Sequence, residues 1–129
     1  MSVFKDKEKF KAYRLKCRKE KENIKKTYVL YNIDEKLYKI GHSKTPFARM
    51  RVLRKKYPNT NMIAIVDASI EIELHRLFES KRVIINGERE WFLLDESELK
   101  IVISLSLKTK RQDVYNQISS LGVVVKKAI

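Results

Sequence analysis

Cysteine is nearly absent: Cys17 is the single one in 129 residues. An internal disulfide and a cysteine-rich zinc site are thereby excluded, so neither an oxidised scaffold nor a metal staple is available. No apolar run approaches the roughly eighteen residues that a membrane-spanning helix needs. The first residues are charged where a secretory signal requires an apolar stretch. A cytosolic or nucleoid location, with no membrane partner, is the expectation. Internal repeats and low-complexity tracts are missing as well. Acidic residues are scarce beside basic ones, 16 against 29, and the formal net charge of +13 favours a polyanionic partner such as nucleic acid or an acidic membrane surface.

What is present suits one domain with extensions, since a hydrophobic content of 43% is enough for a modest core. The charge is uneven. Residues 1–26 carry eleven basic and four acidic side chains, residues 27–107 thirteen and eleven, and residues 108–129 five and one. The chain therefore divides into a basic N-terminal extension (1–26), a balanced domain (27–107) and a basic C-terminal extension (108–129). In the first, Phe10, Tyr13, Cys17 and Ile24 recur at helical spacing, which predicts a long basic helix with a thin apolar stripe. Its Arg14 and Arg18 are candidates for phosphate contacts; the alternative is a helix that docks on the domain.

The domain opens with two β-rich runs, Tyr28 to Tyr31 and Leu37 to Ile40, across a polar turn at Asn32 to Lys36. This predicts a hairpin ended by Gly41. Thr45-Pro46 then reads as an N-cap and a first helical proline, opening a helix to about Tyr57 with Phe47, Met50 and Leu53 inward. Its outer faces keep Arg51, Arg54, Lys55 and Lys56, a second basic surface on which the first three are candidates for a nucleic-acid backbone. Met62 to Val66 suits a strand buried on both faces. Ser69 is the expected cap of a second helix with Ile70, Leu74, Leu77 and Phe78 as its buried stripe, leaving Glu71 and His75 one turn apart on another face. Gly87 marks a turn and Glu90 to Leu94 a short strand. Asp95 to Glu98 is a capping-box start, which favours a buried helix over a strand for Leu99 to Leu107. A further helix spans about Arg111 to Ser119, and Val123 to Val125 offers a terminal strand.

Four of these stretches, in order, resemble the GIY-YIG nuclease superfamily, and within it a phage-type branch whose second motif reads Lys-Ile-Gly. Ten residues lie between Tyr28 and Lys39, Arg49 follows Gly41 by eight, Glu71 to His75 matches Glu-x-x-Leu-His, and Glu90-Trp91-Phe92 matches the closing strand. The resemblance runs from about Tyr28 to Leu94. It departs from the superfamily at Lys39, where most members carry a second tyrosine, and at Lys26-Thr27-Tyr28, which has no glycine.

The resemblance implies a small α/β (α+β) fold, a central, mainly antiparallel sheet flanked by helices, wearing the basic N-terminal helix. It implies a metal-dependent endonuclease that hydrolyses phosphodiester bonds in DNA, with RNA not excluded. Glu71 is expected to hold Mg²⁺ or Mn²⁺, Tyr28 and His75 to manage protons, and Arg49 with Lys39 to neutralise the phosphate. Arg82 is a lesser phosphate contact. A non-cleaving nucleic-acid-binding module on the same fold and a regulatory protein-interaction module are the alternatives. Without the resemblance, Glu71 is an ordinary helix charge and Tyr28 an ordinary strand tyrosine.

Overall fold

A computed structural model describes residues 24–123. The basic helix expected in the N-terminal extension, with Arg14 and Arg18, lies outside the described residues, as does any strand beyond Val123. Within them, the two β-rich runs pair as antiparallel strands β1 (Lys26–Asn32) and β2 (Leu37–Ser43), in a register that sets Tyr28 opposite Gly41 and Leu30 opposite Lys39. The turn between them is closed by the Asn32 side chain, which accepts the Glu35 N–H at 2.7 Å.

Strand β3 (Thr60–Val66) joins the other side of β1, with Ile63 as the extra residue of a bulge between Ala64 and Met62. Its apolar run is buried, as its sequence implies. The other end of the sheet holds one strand more than expected. Arg82–Ile85 forms β4 and pairs with β5, which spans Glu88–Phe92 where Glu90 to Leu94 was the expectation. Asn86 and Gly87 both take left-handed backbone, φ 51° and 81°, which is the conformation of a two-residue hairpin turn. The five strands run in the order β3-β1-β2-β5-β4, every pairing antiparallel.

Among the described residues four helices flank this sheet: α1 (Pro46–Leu53), α2 (Glu71–Leu77), α3 (Glu96–Ser106) and α4 (Arg111–Ser120), with a 3₁₀ turn at Glu79–Lys81 after α2. Three local expectations need correction. α1 stops at Leu53 instead of near Tyr57, because Tyr57 must turn inward to pack on Leu37 and Trp91, and Pro58 disfavours helical backbone at the residue before it. Thr45 holds the N-cap position with Pro46 after it, but its hydroxyl makes no cap bond. Ser69 is not the cap of α2; Ile70 stands there, and its N–H is taken at 2.7 Å by the hydroxyl of Thr27 on β1. The expected capping box does open α3, where Asp95 accepts the Glu98 N–H and Glu98 accepts the Asp95 N–H, both at 2.9 Å.

Alternation along the strands sorts the core into two layers. Val29, Ile40 and Phe92 face α2, α3 and α4, meeting Leu74, Phe78, Val102, Leu105, Val114 and Ile118. Tyr28, Leu30, Met62 and Ile65 face α1 through Met50, with Leu37 and Trp91 beside them against Tyr57. β2 and β5 pair only at Tyr38–Phe92 and Lys39–Trp91. Beyond Lys39 the ladder stops although β5 begins as early as Glu88, so the two strands part from Ile40 onward and leave a notch that α2 borders through His75.

Candidate functional site at the notch between β2 and α2

Tyr28 reaches the notch from β1. Its ring lies across Gly41 on β2, where an added Cβ would stand 2.5 Å from the phenol oxygen. Glycine here makes room for the ring, a steric demand that the hairpin register creates by putting the two residues opposite each other. Burial is the largest influence on the phenol and pushes its pKa above the usual 10.0; the Arg49 guanidinium beside it pulls the other way, and the carboxylates of Glu71 and Glu90 push it up further. Arg49 from α1, Glu71 from α2 and Glu90 from β5 are thus the charged groups that act on this one hydroxyl. At neutral pH that group keeps its proton.

Glu71 begins α2 and is half-buried, its Oε1 4.0 Å from Nε2 of His42. His42 follows Gly41 on β2. Lys39 lies three residues before His42, its side chain 12% exposed, its ammonium 4.0 Å from Glu88 and from Glu90 and 5.7 Å above the Trp91 ring. Tyr38, its neighbour, packs on Tyr31 on the opposite face at 4.7 Å, as strand alternation requires. Glu88 is anchored in turn by Lys56 and Tyr57, each at 2.8 Å, and by the Trp91 indole N–H at 3.2 Å. Burial alone would raise the Glu88 pKa, but those hydrogen bonds outweigh it and hold the group below its ordinary value.

His75 sits one turn after Glu71. Its Nε2 lies 2.9 Å from the Ile40 carbonyl oxygen, and its ring is 4.9 Å from that of Phe92. A carbonyl only accepts, so Nε2 carries the proton and donates.

The residues read from the sequence thus divide. Tyr28, Lys39, Arg49, Glu71 and His75 come from four separated stretches, β1, β2, α1 and α2, to one notch. Arg51 and Lys55 are exposed along and just beyond α1. Arg54 is engaged, its guanidinium donating to the Thr60 carbonyl at 2.8 Å and to Asn61 at 3.1 Å. Arg82 is engaged as well, donating to Glu79 at 2.7 Å and to the Arg89 carbonyl at 2.8 Å while lying over Phe92. Sequence reasoning missed His42 and Glu90 as site residues. The first sits directly after the motif glycine, which was its available signal; the second was read as part of a strand.

Among the described residues no group of three or more His, Cys, Asp or Glu side chains could enclose a metal ion. Glu71 offers one carboxylate with an imidazole nearby. That donor set fits an ion such as Mg²⁺, which keeps several waters and is commonly held by one or two carboxylates together with substrate phosphate oxygens. It does not fit a closed structural site.

Comparison with known families finds that residues 25–106 match the model of the T5orf172 domain. No curated protein and no solved structure matches the chain. Among the described residues, no helix is long and apolar enough to cross a membrane.

Proposed function

The chain belongs to the T5orf172 domain family, a phage-associated domain related to GIY-YIG and HNH-like nucleases, and from that premise we propose that it is a GIY-YIG-type, metal-dependent DNA endonuclease. The observation that carries this reading is the buried phenol of Tyr28 lying over Gly41, with the charges of Arg49, Glu71 and Glu90 from three separate elements acting on it.

Phosphodiester hydrolysis needs a positioned water, a route for its proton, and positive charge on the phosphate oxygens as charge develops there. Arg49 is exposed at the rim and presents a planar fork of donors suited to the scissile phosphate. Lys39 adds a cation whose place is set by Glu88 and Glu90 on either side. Tyr28, neutral at physiological pH, orients water and phosphate by hydrogen bonding and is not a standing base. Glu71 would hold a divalent ion, which supplies Lewis acidity at the phosphate when bound. The excess of basic residues supplies attraction to the backbone without sequence information.

A non-cleaving nucleic-acid-binding module is the second reading. The observation favouring it is Lys39, a lysine at the second-motif position, with two carboxylates near its ammonium. Supercoiled plasmid incubated with the protein, with and without Mg²⁺ or Mn²⁺, separates the two. Metal-dependent nicking lost in both Glu71→Ala and Tyr28→Phe supports the nuclease. Salt-sensitive DNA binding without nicking, or nicking indifferent to Glu71, leaves the binding module.

A further inference from the structure

We propose that Thr27 and His75 are positioning residues that clamp α2 to the hairpin at two points and so hold the Glu71 carboxylate opposite the Tyr28 phenol. The inference rests on the reading of Glu71 and Tyr28 as site residues and adds what sets the distance between them.

The first point is at the start of α2. Thr27 is fully buried, and its hydroxyl donates to the Ala68 carbonyl and accepts the Ile70 N–H, both at 2.7 Å. Its main-chain N–H also donates to Ala68, at 3.1 Å. The hydroxyl's one proton is thereby used, and the N–H it accepts is one that α2 cannot satisfy for itself, because Ile70 has no capping side chain. In sequence the bond joins the residue before Tyr28 to the residue before Glu71.

The second point is one turn on. Nε2 of His75 donates to the carbonyl of Ile40, at the place where the β2–β5 ladder has stopped after Lys39. Ile40 precedes Gly41, the residue over which the Tyr28 ring lies. α2 is thus tied to β1 at one end and to β2 at the other. At seven residues it is too short to hold its own shape in water, so these two bonds, with the packing of Leu74 and Phe78, decide where Glu71 sits. The role of His75 follows from the same geometry: its Nε2–H is committed to the main chain, which makes it a donor that positions and leaves proton transfer to other groups.

Four variants test this: Thr27→Val, which removes the hydroxyl at nearly constant volume, Thr27→Ser, which restores it, His75→Leu, and His75→Gln, whose amide keeps a donor near the place of Nε2. Amide hydrogen exchange is the first readout and needs no substrate. Thr27→Val and His75→Leu are expected to speed exchange at Leu74 in α2 and at Phe78, its C-cap, while leaving Val114 and Ile118 in α4 unchanged; equal acceleration of α4 amides overturns the clamp in favour of general destabilisation. Plasmid nicking is the second. The Val and Leu variants are expected to lose on the order of 10–100-fold in the rate at saturating plasmid, the range for loss of groups that support a metal-binding side chain. The Ser and Gln variants are expected to recover most of it with an unaltered pH profile. His75→Gln as inactive as His75→Leu, with a changed pH profile, overturns the positioning role in favour of proton transfer. Should the unaltered protein fail to nick at all, the nuclease reading falls, and the exchange pattern alone decides the clamp.

Discussion

The phenol of Tyr28 crosses Gly41 so closely that a Cβ at the glycine would stand 2.5 Å from its oxygen and 2.6 Å from its Cζ. The ring has little freedom to yield, being 3% exposed and packed among Met50, Met62 and Ile65. Gly41→Ala is therefore expected to cost about 1–3 kcal/mol, the usual range for overpacking a filled site, in urea unfolding, and to lower nicking by displacing the phenol. Gly41 has no left-handed backbone, so the cost belongs to the contact. Introducing the same alanine into Tyr28→Leu should then cost much less, and an equal cost in both backgrounds would assign it to something other than the ring.

Arg49 acts on the same hydroxyl. Burial raises the Tyr28 pKa first, and the carboxylates of Glu71 and Glu90 add to the rise, while Arg49 opposes it. Removing the cation leaves influences of one sign, so Arg49→Met is expected to raise the phenol pKa further. Carbon NMR of the Tyr28 ring through an alkaline titration measures this. A phenol that titrates at or below 10 in the unaltered protein, or one that falls on substitution, contradicts the arrangement.

The arginines and lysine around α1 should not behave alike toward DNA. Arg51 and Lys55 are exposed, and replacing either with alanine is expected to reduce the slope of log affinity against log salt by about 0.9, the value for one lost phosphate contact on duplex DNA. Arg54 is held by Thr60 and Asn61. Arg54→Ala should leave that slope nearly unchanged and lower the melting temperature instead. A slope change at Arg54 matching those at Arg51 and Lys55 would show that its guanidinium leaves β3 for the backbone.

Acid stability should carry the signature of Asp95. Its hydrogen bond from Ser97, the Glu98 N–H and Lys81 together hold its carboxyl far below the ordinary 3.8. A carboxyl depressed in the folded state contributes stability that is complete above its unfolded value and is lost as pH falls toward the folded one. The melting-temperature gap between the unaltered protein and Asp95→Ala is thus constant near neutrality and closes below about pH 4. A gap that persists or widens on acidification would mean the cap works without its charge.

Much of the fold was legible because it depends on neighbours in the chain. The hairpin follows from two β-rich runs around a polar turn, and the ambiguous run Leu99 to Leu107 was settled as helix by Asp95 and Glu98, three residues apart. Other features were hidden for the opposite reason. The cap of α2 comes from Thr27, 43 residues before Ile70, so Ser69 looked adequate and was not used. β4 was overlooked because Arg82 to Ile85 is short and its hairpin turn depends on two left-handed residues, Asn86 and Gly87.

The sequence by itself determined the alternation that separates Lys39 from Tyr38, the helical stripe of α2, and the stock of chemical groups, Tyr28, Arg49 and Glu71 among them. These are properties of periods of two and 3.6 residues, which need no knowledge of what lies across the sheet. Tertiary structure alone decided which charges are engaged. Arg54 and Arg82 are tied to their own fold, while His42 and Glu90 are drawn into the notch. It also decided that β5 stops pairing after Lys39 and leaves the Ile40 carbonyl to His75. Such facts depend on register and packing between segments far apart in the chain, where a hydrogen bond is made or lost over a few tenths of an ångström.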